Sequence, residues 1–203
     1  MRSFASSWSE VQFLLEQYPF PLTKEVESFW FSASFLQKMR QGPYGTARLY
    51  KACLLQERFA CSEAELLQAM EEHYFEGQYF SSSYSGAWLF FALAERKLGV
   101  DVEVIKSRSV LFLDAVEAEL RCLFWKADWK SFYLLWTAKE AILKRWDARS
   151  LDLMDQISFF AVEKKPLQLW GMHFDRELKY GFEGQVGMVR SGENWLLAWS
   201  FAD

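Results

Sequence analysis

The sequence is poor in cysteine and histidine and has no long apolar run, and each shortage removes a class of protein. Its cysteines, Cys53, Cys61 and Cys122, are odd in number and show no Cys-x-x-Cys spacing. Neither a disulfide framework nor a zinc site is expected, and a reducing compartment, the cytoplasm, fits. His73 and His173 lie far apart and suggest no metal constellation. The longest apolar run, residues 87–94, is too short to span a bilayer. Glu10 and Glu16 interrupt what would be the apolar core of a secretory leader, so no membrane association is expected. Basic runs are missing too. Lys and Arg number 23 against 27 Asp and Glu, for a net charge of −4. A nucleic-acid binder would carry a basic footprint, so no nucleic-acid partner is expected. A local group of cations for a small anionic molecule remains compatible with that balance.

What is present is a globular composition of 203 residues, 51% hydrophobic and 25% charged, long enough for one large domain or two small ones. Aromatics reach 18%, with ten Trp, which suits core and interface packing. Ser7-Trp8-Ser9-Glu10 reads as a capping box opening a short helix toward Gln17, ended by Pro19 and Pro21. Residues 22–45 show no clear period apart from the turn Gly42-Pro43-Tyr44-Gly45. A helix is expected over 46–58, and Ser62-Glu63-Ala64-Glu65 opens another that runs to about His73. Residues 79–85 and 88–94 read as a hairpin around Gly86-Ala87, followed by a strand over 97–104. Helices are expected over 109–123 and 128–146, then strands over 157–162, 167–174, 185–190 and 195–201.

Two stretches carry chemistry. In Leu98-Gly99-Val100-Asp101-Val102-Glu103 the acids are two apart in a β-branched run, which puts both carboxylates on one face of a strand. In Trp136-Thr137-Ala138-Lys139-Glu140-Ala141-Ile142-Leu143-Lys144 the helical period stacks Glu140 and Lys144 one turn apart. Asp101, Glu103 and Glu140 with Lys144 form a candidate Mg²⁺ and phosphate site, because Mg²⁺ is usually held by a few carboxylates and substrate phosphates. There is also an internal echo. Ser85-Gly86-Ala87-Trp88-Leu89-Phe90-Phe91-Ala92 resembles Ser191-Gly192-Glu193-Asn194-Trp195-Leu196-Leu197-Ala198, as a duplicated α+β unit would produce.

Gly-Val-Asp-Val-Glu followed by Trp-Thr-Ala-Lys-Glu-Ala-Ile-Leu-Lys closely resembles the two signatures of the 4′-phosphopantetheinyl transferase superfamily, and the length fits its single-chain, surfactin-synthetase-activating type. The resemblance covers about residues 81–144. It implies an α+β fold of two similar halves related by a pseudo-twofold, each with a helix packed on a small antiparallel sheet. The division would fall near residue 100, with 1–100 on the coenzyme A nucleotide side and 101–203 on the metal and catalytic side. The implied activity is Mg²⁺-dependent transfer of the phosphopantetheine arm of coenzyme A to a serine of an acyl or peptidyl carrier protein, by a monomer. Asp101, Glu103 and Glu140 would be the metal ligands. Lys144 would contact the diphosphate, and Glu140 would take the serine proton through a water. Arg48, with Lys51 behind it, is the candidate for the family's nucleotide-binding arginine, the alternative being an exposed helix arginine, and Lys139 is either a coenzyme A phosphate contact or a solvated lysine.

The family's Ser-His-Ser turn reads Ser83-Tyr84-Ser85 here, so a tyrosine stands where the resemblance implies a phosphate-contacting histidine. The usual Gly-Lys-Pro is replaced by Glu76-Gly77-Gln78, and Lys106 stands where arginine is more usual. These departures leave a second reading open, a relative with weakened catalysis that binds a carrier protein or a coenzyme A-like ligand. Another phosphoryl- or nucleotide-handling enzyme and a structural domain are the remaining alternatives.

Overall fold

A computed structural model of the chain describes residues 3–5, 11–17, 30–42, 44–124, 126–148, 151–159, 177–182, 185–192 and 194–201. Strands β1 (Ser3–Ala5), β2 (Val11–Gln17), β3 (Tyr74–Phe75), β4 (Gln78–Ser85) and β5 (Trp88–Ala94) form a five-stranded sheet in the order β1-β2-β5-β4-β3. Strands β6 (Leu98–Val104), β7 (Glu177–Phe182), β8 (Gln185–Ser191) and β9 (Trp195–Phe201) form a four-stranded sheet in the order β6-β9-β8-β7. All strand pairs are antiparallel. Helices α1 (Ala33–Met39), α2 (Gly45–Phe59) and α3 (Glu63–Glu72) precede β3, whereas α4 (Leu111–Phe124) and α5 (Trp129–Arg145) follow β6. The fold is mixed α+β with antiparallel sheets. No helix among the described residues is long and apolar enough to cross a membrane.

Local chemistry sets the ends of these elements. Ser62 caps α3 with the full reciprocal box: its side chain accepts from the Glu65 N–H while the Glu65 carboxylate accepts from the Ser62 N–H. Asp128 caps α5 through the Ser131 N–H at 2.8 Å. Burial alone would raise the Asp128 pKa, but Lys126 and the Ser131 N–H outweigh it and hold the carboxyl at about 2. The β4–β5 hairpin turns at Gly86, whose φ of +59° suits a residue without a side chain.

Each inner strand divides its side chains between two cores. Leu14 of β2 and Phe91 and Leu93 of β5 pack under α1–α3 with Phe35, Leu49, Leu55 and Leu66. Phe13, Phe90, Ala92 and Ala94 point the other way, onto Val100, Val102, Leu197, Trp199 and Phe201 of the second sheet. Leu196 and Ala198 turn from that sheet to α4 and α5, against Leu120, Ile142 and Tyr133. Trp88 and Trp195, the first residues of β5 and β9, meet across the junction with ring centroids 5.4 Å apart.

The structure departs from these expectations at residues 11–17 and 157–159, and it adds elements that the sequence does not announce. Residues 11–17 form strand β2, not the end of a helix, because Phe13 and Leu14 feed opposite cores and β2 pairs with β5 along its length; the expected cap at residues 7–10 lies outside the described residues. Residues 157–159 carry no strand, and the rest of the strands expected over 157–162 and 167–174 lies outside the described residues. A strand not expected from the sequence, β7 at Glu177–Phe182, pairs with β8 on the side away from β9. Residues 33–39, which show no clear period, form the short helix α1 behind an N-capping Ser32.

Candidate active site

The site is built where α5 lies on β6. Contact between them depends on Gly99: a Cβ at that position would stand 1.9 Å from the Ala141 carbonyl oxygen and 2.4 Å from the Arg145 nitrogen. Gly99, Asp101 and Glu103 alternate onto one face of the strand, so the face that receives the helix backbone also carries both acids. The helix end is anchored by Arg145, fully buried, whose guanidinium donates to the Phe201 carbonyl at 2.7 Å and to the Ser200 hydroxyl at 3.0 Å. Glu140 and Lys144, one helical turn apart, then overhang the acid pair.

Asp101 is 3% exposed. Its Oδ1 accepts from the Ser83 hydroxyl at 2.6 Å and from the Lys144 ammonium at 2.7 Å, while Oδ2 is buried with no hydrogen-bond partner. Glu103 accepts from the Ser85 hydroxyl at 2.7 Å. Burial pushes the Glu103 carboxyl above its ordinary pKa, and the Asp101 charge adds to that, against the opposing effects of the Ser85 hydroxyl, Arg108 and Lys144. Glu140 is pushed up in the same way, first by burial and then by Asp101 and Glu103, with Lys144 opposing. Asp101, Glu103 and Glu140 therefore share one electrostatic neighbourhood that carries excess negative charge.

Among the described residues, no three His, Cys, Asp or Glu side chains form a ready-made metal cage. The donor set nonetheless suits a hard divalent cation. All of its ligand atoms are carboxylate oxygens, and one of them, Asp101 Oδ2, is buried and unsatisfied, which is costly without a positive partner.

Beside the acids opens a cleft of about 230 Å³ lined by Arg48 and Lys51 of α2, Ser83 and Tyr84 of β4, Lys144 of α5, and Tyr44. Burial, then the charges of Arg48 and Lys144, lower the Lys51 pKa to about 8. The Arg48 Nε is buried without a hydrogen-bond partner. Three cations held this close, of which Lys144 pairs with Asp101, favour a polyanionic occupant.

Of the residues singled out in the sequence, Arg48, Lys51, Ser83, Tyr84 and Lys144 come together at this cleft, and Asp101, Glu103 and Glu140 gather beside it. Lys139 does not join them. It is buried on another face of α5 and pairs with Glu119 of α4 at 2.8 Å, fastening the two helices. The hydroxyls of Ser83 and Ser85 are directed at Asp101 and Glu103. Sequence reading missed Tyr44 as a site residue. It is 60% exposed and stands edge-on to Tyr84, centroids 6.2 Å apart; its only signal was a large aromatic inside a turn before a cationic helix.

Residues 97–196, just under half of the chain, match the family model of the 4'-phosphopantetheinyl transferase superfamily. No curated protein matches the chain. The match begins immediately before β6 and takes in both Asp101–Glu103 and Glu140–Lys144.

Proposed function

We propose that the protein is a phosphopantetheinyl transferase of the single-chain type, which moves the phosphopantetheine arm of coenzyme A onto a serine of an acyl or peptidyl carrier protein in a Mg²⁺-dependent reaction. The observation that carries this reading is the juxtaposition of an acid cluster holding a bare buried oxygen, Asp101 Oδ2, with a cationic cleft lined by Arg48, Lys51 and Lys144. In the reaction the carrier serine oxygen forms a bond to the phosphorus that bears the pantetheine arm. The bond from that phosphorus to the bridging oxygen breaks, and 3′,5′-ADP leaves.

The residues divide that work. Asp101, Glu103 and Glu140 would hold Mg²⁺, which when bound neutralises diphosphate charge and stabilises the leaving group. Lys144 sits between Asp101 and the cleft and serves as a point charge for the diphosphate. Arg48 and Lys51 receive the nucleotide phosphates. Glu140, its pKa raised by burial, accepts the serine proton through a water, since a carboxylate engaged with a cation is a weak direct base. Tyr84 offers a hydroxyl to the phosphates but no positive charge.

The same reading divides the chain near residue 100 into two similar α+β halves related by a pseudo-twofold, acting as a cytoplasmic monomer. Supporting it, sheet membership changes between Ala94 and Leu98, and β5 and β9 carry the same burial pattern behind Trp88 and Trp195, whose rings touch. Incubation with coenzyme A, Mg²⁺ and apo carrier proteins, read by intact mass, tests the function. Modification of a carrier serine is expected. Tyr84 in the cleft favours one rival, a relative that only binds coenzyme A or a carrier; binding without any mass increase would establish that rival.

A further inference from the structure

We infer that Ser81, Ser83 and Ser85 of β4 form a hydroxyl ladder that joins the two sheets and positions the acid pair. The metal role of those acids rests on the function proposed above; the joining role does not. The serines alternate along β4 and therefore share one face, the face that also carries Ala92, Phe90 and Trp88 on the paired strand. Opposite them runs β6. Among the described residues it pairs with β9 on one side only and lies at the edge of its sheet, so its other side presents backbone N–H groups that need acceptors.

The serines supply them. The Val100 N–H donates to the Ser81 hydroxyl at 3.1 Å and the Val104 N–H to the Ser85 hydroxyl at 3.2 Å. Between and beside these joints the hydroxyl protons go to the acids, Ser83 to Asp101 and Ser85 to Glu103. Each hydroxyl oxygen can accept and donate at once, so a single atom can serve both a backbone N–H and a carboxylate. The roles are graded. Ser81 touches backbone alone, Ser83 touches a carboxylate, and Ser85 touches both. Ser83 and Lys144 together occupy Asp101 Oδ1, which leaves Oδ2 as the free ligand. Ser83 and Ser85 are thus positioning residues for the acids, and Ser81 is the anchor of the joint.

The grading makes the test internal. Mn²⁺ affinity by titration calorimetry and metal-free melting temperature are measured for Ser81→Ala, Ser83→Ala, Ser85→Ala and Ser83→Thr. Ser81→Ala is expected to lower the melting temperature with Mn²⁺ affinity near the wild-type value. Ser83→Ala is expected to weaken Mn²⁺ binding by about 10- to 100-fold, the usual effect of losing a group that orients a metal ligand. Ser83→Thr, which keeps the hydroxyl, should restore it. Ser85→Ala should lower both. Equal loss in all of the alanine variants, or wild-type Mn²⁺ affinity in Ser83→Ala, overturns the positioning role. If the wild-type protein binds no Mn²⁺, the metal-dependent reading and the positioning role both fail. The joint is then judged by melting, and wild-type melting of Ser81→Ala and Ser85→Ala overturns it.

Discussion

Lys144 donates to the same oxygen of Asp101 that Ser83 already engages, at 2.7 Å and 2.6 Å, and the second oxygen of Asp101 is left buried and bare. The lysine therefore neutralises a carboxylate that is 3% exposed. Lys144→Met should destabilise the metal-free protein by about 1–3 kcal/mol, the cost of a buried polar group losing its partner. Mg²⁺ should recover most of that loss, because a ligand of the native state alone stabilises it by mass action. Thermal melting with EDTA and with Mg²⁺ checks this; the same loss in both conditions would contradict it.

Glu140→Gln keeps the shape and removes the base. Turnover should fall by about 10²- to 10⁴-fold, the range for a general base. At saturating Mg²⁺ the Michaelis constant for coenzyme A should change little, because proton transfer is used in the transition state and not in nucleotide binding. Steady-state rates of carrier modification separate the two constants.

Lys51 gives a pH dependence with a definite sign. Its folded pKa is about 8, below the ordinary 10.5. Between those values the unfolded chain binds more protons than the native one, so the contribution of Lys51 to stability rises as pH rises through that window. Ligand binding runs the other way. A diphosphate attracts the protonated amine, so coenzyme A affinity should weaken as pH rises past about 8, and binding near that pH should take up a proton. Calorimetry in buffers of different ionisation enthalpy reads the uptake. Lys51→Arg, charged throughout, should abolish it.

Tyr84→His restores the residue type that the resembled family carries at this turn. A charge-assisted contact is worth about 1.5–3 kcal/mol when nothing else fills its place. Arg48, Lys51 and Lys144 already line the cleft with Tyr84. The substitution should therefore lower the Michaelis constant for coenzyme A by less than about tenfold, a decade being 1.4 kcal/mol, with turnover unchanged. A larger drop would mean that the existing cations do not reach the phosphates.

Gly99→Ala should separate α5 from β6. The added carbon would lie 1.9 Å from a carbonyl oxygen of the helix backbone, which cannot rotate away as a side chain would. A loss of about 3 kcal/mol or more is expected, at or above the upper end for overpacking. Chemical denaturation measures it.

Most of the site was legible because its signals are local. The alternation of Asp101 and Glu103 and the one-turn spacing of Glu140 and Lys144 each reduce to the period of a single element. The capping box at Ser62 is equally local. Strand β2 was not legible, because burial on both faces erases alternation: Phe13 and Leu14 are adjacent and both in cores, and such a run reads as well for a helix. Strand β7 is an edge strand holding Glu177, Lys179 and Gly181, a composition that suits an open edge and hides a strand from its sequence. Lys139 shows the limit of spacing. Its neighbour Glu140 faces the acids, but one residue on a helix is a turn of about 100°, and the lysine ends on Glu119.

Sequence separation gives the ladder of serines an expected place in the order of folding. Ser83 and Asp101 are 18 residues apart, Ser81 and Val100 are 19 apart, and Lys144 and Asp101 are 43 apart. The pairing of β6 with β9, Leu98 opposite Phe201, closes a far longer loop. The entropic cost of closure grows with loop length, and long-range pairing slows folding. On loop length alone the acids are expected to be seated on β4 first, the lysine to reach them next and the pairing of β6 with β9 to close last, so that the serine hydroxyls would engage one edge of β6 before β9 covers the other.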